Sequence, residues 1–252
     1  MSAGRPVPDG PAAGDPGAGD PVRVAVVDYG AGNLVSIGQA LTAVGAEVRV
    51  ITGPAALDEA DLLVVPGVGA AAPAMARLVA QGLVDPIRAW ATADRPFLGI
   101  CLGLQLLFEG SDEDGAETLG ILPGRTVRLE DAPTLPHIGW NQVVRRPGHL
   151  DDQAFAGIPD GADLYFVHSY VGRPAVGRED LVVAETTHGR AFASVMGRGR
   201  LLGVQFHPER SGTDGLRLLA NVVGAVGAAP SSGLDSGRDE RPATVPARVG
   251  VA

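Results

Sequence analysis

The chain has 252 residues, a net charge of −9 and a single cysteine. The acidic balance argues against a nucleic-acid or anionic-membrane surface, where clustered basic groups are needed, and one cysteine allows no internal disulfide, which favours a reduced cytoplasm. All 20 basic residues are arginine, so a lysine missing at any one position says little.

Residues 1–21 hold five Pro, five Gly and four Ala with no apolar run, and predict a disordered N-terminal extension. They lack the hydrophobic stretch of about 7–15 residues that marks a signal peptide. From residue 22 the pattern changes. An apolar strand over 24–27 is followed by Leu34, Ile37, Leu41 and Val44 at helical spacing, ending at Gly45. Strands are predicted at 48–51 and 62–65, a helix over about 74–93, a strand at 97–100 and an apolar helix over 102–108. The second half reads as strands at 126–129, 140–144, 164–171, 181–187 and 201–206, then a helix over 213–226. Residues 227–252 predict a disordered C-terminal extension. The folded part is therefore one α/β domain over 22–226, with a mostly parallel sheet covered on both faces and added antiparallel strands. No stretch approaches the roughly 18 apolar residues of a membrane span.

The cysteine stands in Gly99-Ile100-Cys101-Leu102-Gly103, between an apolar strand and a predicted helix. This is the cysteine form of the G-x-S-x-G elbow, in which flanking glycines permit a tight turn. A helix N-terminus beneath it offers free N–H groups and a positive dipole end, which favour a thiolate. Taken alone, Cys101 reads equally well as a small buried hydrophobe. A thiolate nucleophile needs a base, and the base an orienting group. His207 has the setting for both. It ends a strand on the face opposite Leu202, Val204 and Phe206, and Glu209 follows two residues later. His137, His149, His168 and His188 have no comparable partner, and no pair stands at a metal-binding spacing, so neither metal nor cofactor is expected. Gly30-Ala31-Gly32-Asn33-Leu34-Val35 lacks the third glycine of a dinucleotide loop. The Gly67–Ala72 stretch has the pattern but runs at once into Pro73 and lacks an acidic ribose partner.

Gly-Ile-Cys-Leu-Gly-Leu-Gln at 99–105 and Gln-Phe-His-Pro-Glu at 205–209 resemble the two catalytic signatures of the class I, triad-type glutamine amidotransferases. That resemblance implies their three-layer, flavodoxin-like fold. Four further stretches fall in the same order: Asp28–Leu34, Pro66-Gly67-Val68-Gly69, His137-Ile138-Gly139-Trp140-Asn141 and Tyr165-Phe166-Val167-His168-Ser169-Tyr170. Together they are similar to the glutaminase subunits of imidazole glycerol phosphate synthase, a histidine-biosynthesis enzyme.

The resemblance implies roles. Cys101 would attack the glutamine side-chain amide, His207 would carry the proton and Glu209 would orient His207. The oxyanion would be held by the N–H of Leu102 and by the Gly67–Val68 loop, whose peptide would flip. Gln105, Glu113 and Ser169 would hold the glutamine backbone groups. Trp140, Asn141 and Tyr165 would meet a (β/α)₈ cyclase subunit in a heterodimer, across a sealed contact that keeps ammonia unprotonated. Two departures stand out: Arg210 replaces the usual lysine after His-Pro-Glu, and Ala70-Ala71-Ala72 replaces a usual aromatic. Two other readings compete: a glutaminase subunit of another class I enzyme such as anthranilate synthase, and a non-catalytic regulatory subunit with the same fold.

Overall fold

A computed structural model of the chain describes residues 20–149 and 153–227. From the N-terminus it runs β1 (Arg23–Val27), α1 (Leu34–Ala43), β2 (Glu47–Ile51), β3 (Leu62–Gly67), α2 (Ala71–Ala80), α3 (Val84–Thr92), β4 (Phe97–Cys101) and the single turn α4 (Leu102–Gln105). It continues through β5 (Gly110–Ser111), β6 (Gly124–Arg128), β7 (His137–Arg145), β8 (Ala162–His168), β9 (Tyr170–Pro174), β10 (Val182–His188), β11 (Arg190–Arg198) and β12 (Leu201–Val204) to α5 (Gly212–Gly227).

Nine strands form one sheet in the order β2-β1-β3-β4-β12-β11-β10-β7-β8. The first five are parallel neighbours and the rest pair antiparallel. A second sheet of three strands, β5-β6-β9, stands beside it. The parallel half is the doubly wound order of a flavodoxin-like sheet, whose ligands gather beyond the carboxyl ends of the strands.

Side-chain alternation splits the core in two. Ala25, Val27, Leu63 and Val65 face one side with Met75 and Leu78 of α2 and Ile87 and Trp90 of α3. Val24, Val26, Leu62 and Val64 face the other with Ile37 and Leu41 of α1 and Leu218 and Leu219 of α5. Helices cover both faces, giving three layers. Each such side chain taken from water contributes about 1.5–3 kcal/mol.

Several expectations need correction. The helix predicted over 74–93 is two helices. Gly82 adopts φ +67, and the amides of Gly82 and Leu83 cap the carbonyls of Val79 and Leu78, a left-handed C-terminal cap. The helix predicted over 102–108 is one turn, because the carbonyls of Leu106, Leu107 and Phe108 are taken by the amides of Leu119, Ile121, Leu122 and Gly120. The strand predicted over 164–171 is two strands in different sheets, with Ser169 between them. Strand β11 was not foreseen, since its Ala, Ser and Gly residues are weak strand formers. Gly227, expected to open the C-terminal extension, closes α5. The rest of both expected extensions, apart from Asp20 and Pro21, lies outside the described residues.

Candidate active site

Strand register assembles the site. In parallel pairing, Gly67 of β3 stands opposite Cys101 of β4, and Ile100 stands opposite Val204 of β12. The chain beyond Val204 therefore delivers Gln205 and His207 to the same edge as Cys101, beside the Gly67–Val68 loop. Three strand ends bring together residues about 35 and 100 positions apart in the sequence.

Cys101 has φ +53 and ψ −107, a conformation that a residue with a side chain rarely adopts. Such strain at the end of a strand is the mark of a nucleophile elbow. The flanking glycines serve it by close approach rather than by backbone freedom. A Cβ on Gly99 would press on the Gly103 carbonyl, and one on Gly103 would overlap the Val65 carbonyl. Gly67 is just as confined, since a Cβ there would collide with the buried Tyr29 hydroxyl. The expected help from a helix dipole is reduced, because α4 has only four residues and few peptide dipoles to align.

His207 is buried, at 4% exposure. Its Nδ1 lies 2.8 Å from Glu209 Oε1, so Nδ1–H donates to the carboxylate, which fixes the ring. Its Nε2 is buried without a well-formed hydrogen bond among the described residues. The Cys101 sulfur is nevertheless near enough to act on the ring. Burial opposes a charge on His207, but the contacts with Cys101 and Glu209 outweigh it and raise the ring from 6.5 to about 10. The resting imidazole therefore carries its second proton at neutral pH.

A cleft of about 230 Å³ opens on Cys101 and is lined by Val68, Gln105, Glu113, Ser169 and Tyr170 among others. A larger depression of about 560 Å³ lies at the opposite ends of the strands, beside Leu62, Phe97 and Leu201, and holds none of the triad. The smaller cleft is the candidate site, because it opens on Cys101. Burial, with Asp114 nearby, raises the Glu113 carboxyl above its ordinary value. Gln105 lines the cleft, but its Nε2 donates to the Tyr170 carbonyl at 2.7 Å and to Gln205 Oε1 at 3.2 Å. Both amide hydrogens are thus used inside the protein, which leaves Oε1 as its remaining polar atom.

Strands β7 and β8 form a two-faced ribbon. Ile138 and Trp140 are 60% and 56% exposed on its outer face. Tyr165 pairs with Trp140 across the strands, their rings edge to face at 6.0 Å. Arg210 lies 4.2 Å over the Tyr165 ring, where its planar guanidinium stacks in a way an ammonium cannot. Asn141 belongs to the inner side. Its Nδ2 donates to the Thr187 carbonyl at 2.9 Å and meets His137 Nε2 at 3.2 Å. His137 Nδ1 lies 3.1 Å from His168 Nε2, and His168 Nδ1 lies 3.1 Å from the Tyr170 carbonyl. Burial lowers His168 to about 3 and His137 to about 4, so both are neutral. His137 and His168, which lacked partners in the sequence, thus partner each other, and His188 stacks on His137.

Two site residues escaped the sequence reading. Gln205, fully buried, places Nε2 3.6 Å from Cys101 Sγ. Ser211 ties the His207 loop to β8. Its hydroxyl donates to the His207 carbonyl at 2.6 Å and accepts from the Tyr165 amide at 2.9 Å. The available signal was a polar residue at the end of an apolar strand for Gln205, and none for Ser211.

The chain belongs to the class I glutamine amidotransferase family, whose model matches residues 25–225. Among individual relatives it is similar to the protein called imidazole glycerol phosphate synthase subunit HisH in Chloroflexus aurantiacus, 48% identical over 202 residues, covering 79% of this chain and 94% of that one. Likenesses of the same kind are the subunit of that name in Symbiobacterium thermophilum, 49% identical over 79% of this chain and 92% of the relative, and that of Moorella thermoacetica, 48% identical with the same coverage. Among solved structures, a glutamine amidotransferase superposes with a TM-score of 0.64 at 20% identity, covering 81% of this chain and 98% of that one. A PurLQS structure from Thermotoga maritima also gives 0.64, at 19% identity over 82% of this chain and 99% of the other. At these identities the superpositions speak for the fold, which is the three-layer class I amidotransferase fold.

Proposed function

We propose that the chain is the glutaminase subunit of an imidazole glycerol phosphate synthase. It hydrolyses glutamine to glutamate and passes the ammonia to a (β/α)₈ cyclase subunit. The cyclase makes imidazole glycerol phosphate and AICAR from the phosphoribulosyl-formimino precursor in histidine biosynthesis. The observation that carries this reading is the meeting of Cys101, His207 and Glu209 at one sheet edge, in a chain about half identical to subunits of that name.

The arrangement of Cys101, His207 and Glu209 supports the following chemistry. With its proton already on His207 Nε2, the Cys101 sulfur attacks the amide carbon of the glutamine side chain. The oxyanion that forms takes N–H donors from Leu102 and from Val68 once the Gly67–Val68 peptide turns toward it. His207 returns the proton to the departing nitrogen, ammonia leaves, and a thioester remains. A water that loses its proton to His207 then releases glutamate and frees the sulfur. Glu113, Gln105 Oε1 and Ser169 hold the amino-acid end of the substrate. Ammonia must travel unprotonated, because ammonium has no lone pair. The exposed Trp140 and Ile138, with Tyr165 and Arg210, form the seal against the cyclase in a cytoplasmic heterodimer.

Glutamate release by the chain mixed with the cyclase and its ribulosyl substrate tests the reading. Strong stimulation by both, abolished in Cys101→Ala, is the expected result. Undiminished release by Cys101→Ala would overturn the mechanism. Stimulation by a chorismate-using partner would overturn the pathway, and a chain inert with every partner would be regulatory.

A further inference from the structure

The Cys101 sulfur has a neighbour that the triad does not include. Gln205 Nε2 lies 3.6 Å from Sγ, on a side chain with 0% exposure. Which end of a buried amide faces a given atom is ordinarily an assignment made from its surroundings. Here the surroundings leave one answer. The Tyr170 main-chain carbonyl can only accept, so the Gln105 group 2.7 Å away is the amide nitrogen. The same nitrogen lies 3.2 Å from Gln205, which must present its oxygen there. That turns the Gln205 NH₂ toward the sulfur.

The same reasoning settles the histidines that reach the Tyr170 carbonyl from the other side. The Thr187 carbonyl orients the Asn141 amide nitrogen toward it, and that nitrogen also meets His137 Nε2. A neutral His137 then carries its proton on Nδ1 and donates to His168 Nε2. His168 in turn carries its proton on Nδ1, facing the Tyr170 carbonyl. The Tyr170 carbonyl thus accepts from His168 on one side and from Gln105 on the other.

We propose that Gln205 is a catalytic residue of this glutaminase, acting on the nucleophile itself. Its N–H steadies the negative charge on the Cys101 sulfur once the thiol proton has passed to His207 Nε2, and it holds the sulfur in one direction for attack. A donor to the charged form favours that form, and with only one turn in α4 the dipole contribution is small. Gln105 supports Gln205 from behind. It spends one hydrogen on the Gln205 oxygen and one on the Tyr170 carbonyl, so the amide cannot turn over without losing a buried bond. The proposal rests on Cys101 being the glutaminase nucleophile.

The chain has one cysteine, so its alkylation reports on Cys101 alone. Iodoacetamide alkylation of the full-length chain is followed by mass spectrometry across pH, for wild type, Gln205→Glu and Gln205→Met. Gln205→Glu keeps the shape and still accepts from Gln105, but at neutral pH it offers the sulfur no N–H. Gln205→Met keeps the length without polarity. The expected result is alkylation at pH 7 slowed by about tenfold or more in both, with the profile moved to higher pH, as loss of a hydrogen bond to a charged group implies. In complex with the cyclase, kcat for glutamate release falls by about tenfold or more while KM stays within about twofold. Variants that lose thermal stability but keep the wild-type alkylation profile would overturn the proposal and leave Gln205 a packing residue.

A measurement on the wild type covers variants that fail to fold. In ¹⁵N-labelled protein the Gln205 side-chain NH₂ signals should move with pH at the midpoint of the alkylation profile, and signals that stay fixed through that range would overturn the proposal. If the wild-type complex released no glutamate, the functional reading would fall, while the alkylation and NMR profiles would still report whether Gln205 bonds the sulfur.

Discussion

Gly103 sits directly against the main-chain carbonyl of Val65, with no room between them for a methyl group. The first turn after the nucleophile is thereby pressed onto β3, the strand that leads into the Gly67–Val68 loop. The Cys101 elbow and the Gly67–Val68 loop thus share one rigid contact. Gly103→Ala should therefore cost about 3 kcal/mol or more, since neither backbone can give way without moving the elbow. Gly38 is the control. It lies within α1 with nothing within 4 Å of an added Cβ, so Gly38→Ala should stabilise by about 0.5–1 kcal/mol. Urea midpoints measure both.

Glu209→Gln tests the orienting contact at 2.8 Å. Losing the carboxylate should cut kcat for glutamate release by about a hundredfold or more, with far less effect on KM. It should also change the alkaline stability profile. In the wild type the folded-state value of His207 is raised to about 10. Its stabilisation is complete below about 6.5, the unfolded value. It is then lost as pH rises through 10, because the folded state holds a proton that the unfolded state releases. Unfolding followed between pH 7 and pH 10 should give a flatter curve in Glu209→Gln.

The buried histidines act in the opposite direction. His137 is lowered to about 4 and His168 to about 3, mainly by burial. As pH falls below about 6.5 the unfolded chain takes up protons that the native state refuses, so stability falls with pH down to these folded values. Between pH 6.5 and pH 4.5 the loss should be on the order of 2 kcal/mol or more. His168→Gln should be less stable at pH 7 yet lose less on acidification, as read from urea midpoints at the two pH values.

Trp140→Ala should separate stability from assembly. The indole is 56% exposed in the isolated chain, so the thermal midpoint should hardly change, in line with surface substitutions within about 0.5 kcal/mol. Affinity for the cyclase should fall by about 30-fold or more, as for an aromatic anchor at an interface centre. Calorimetric titration measures it.

Much of the candidate site was legible in the sequence because its motifs are local. Gly99 to Gly103 announced the elbow, and Glu209 two residues after His207 announced their contact. Long-range contacts left no local trace. The glycines beside Cys101 suggested backbone freedom, yet the left-handed residue is Cys101 and the glycines answer to Val65 and to each other. The short α4 follows from tertiary hydrogen bonds to segment 119–122 that no helical periodicity can show. His137 and His168 looked isolated because their partners lie across a strand pair 31 residues apart.

The β7–β8 ribbon constrains how such a chain can change length. Odd and even positions serve different masters: Trp140, Ile138 and Tyr165 look outward, while His137, Asn141 and His168 look in. Deleting or inserting a single residue within either strand would turn that strand's outward side chains in and its inward ones out. Growth by insertion is open to the segment between the strands and closed to the strands themselves.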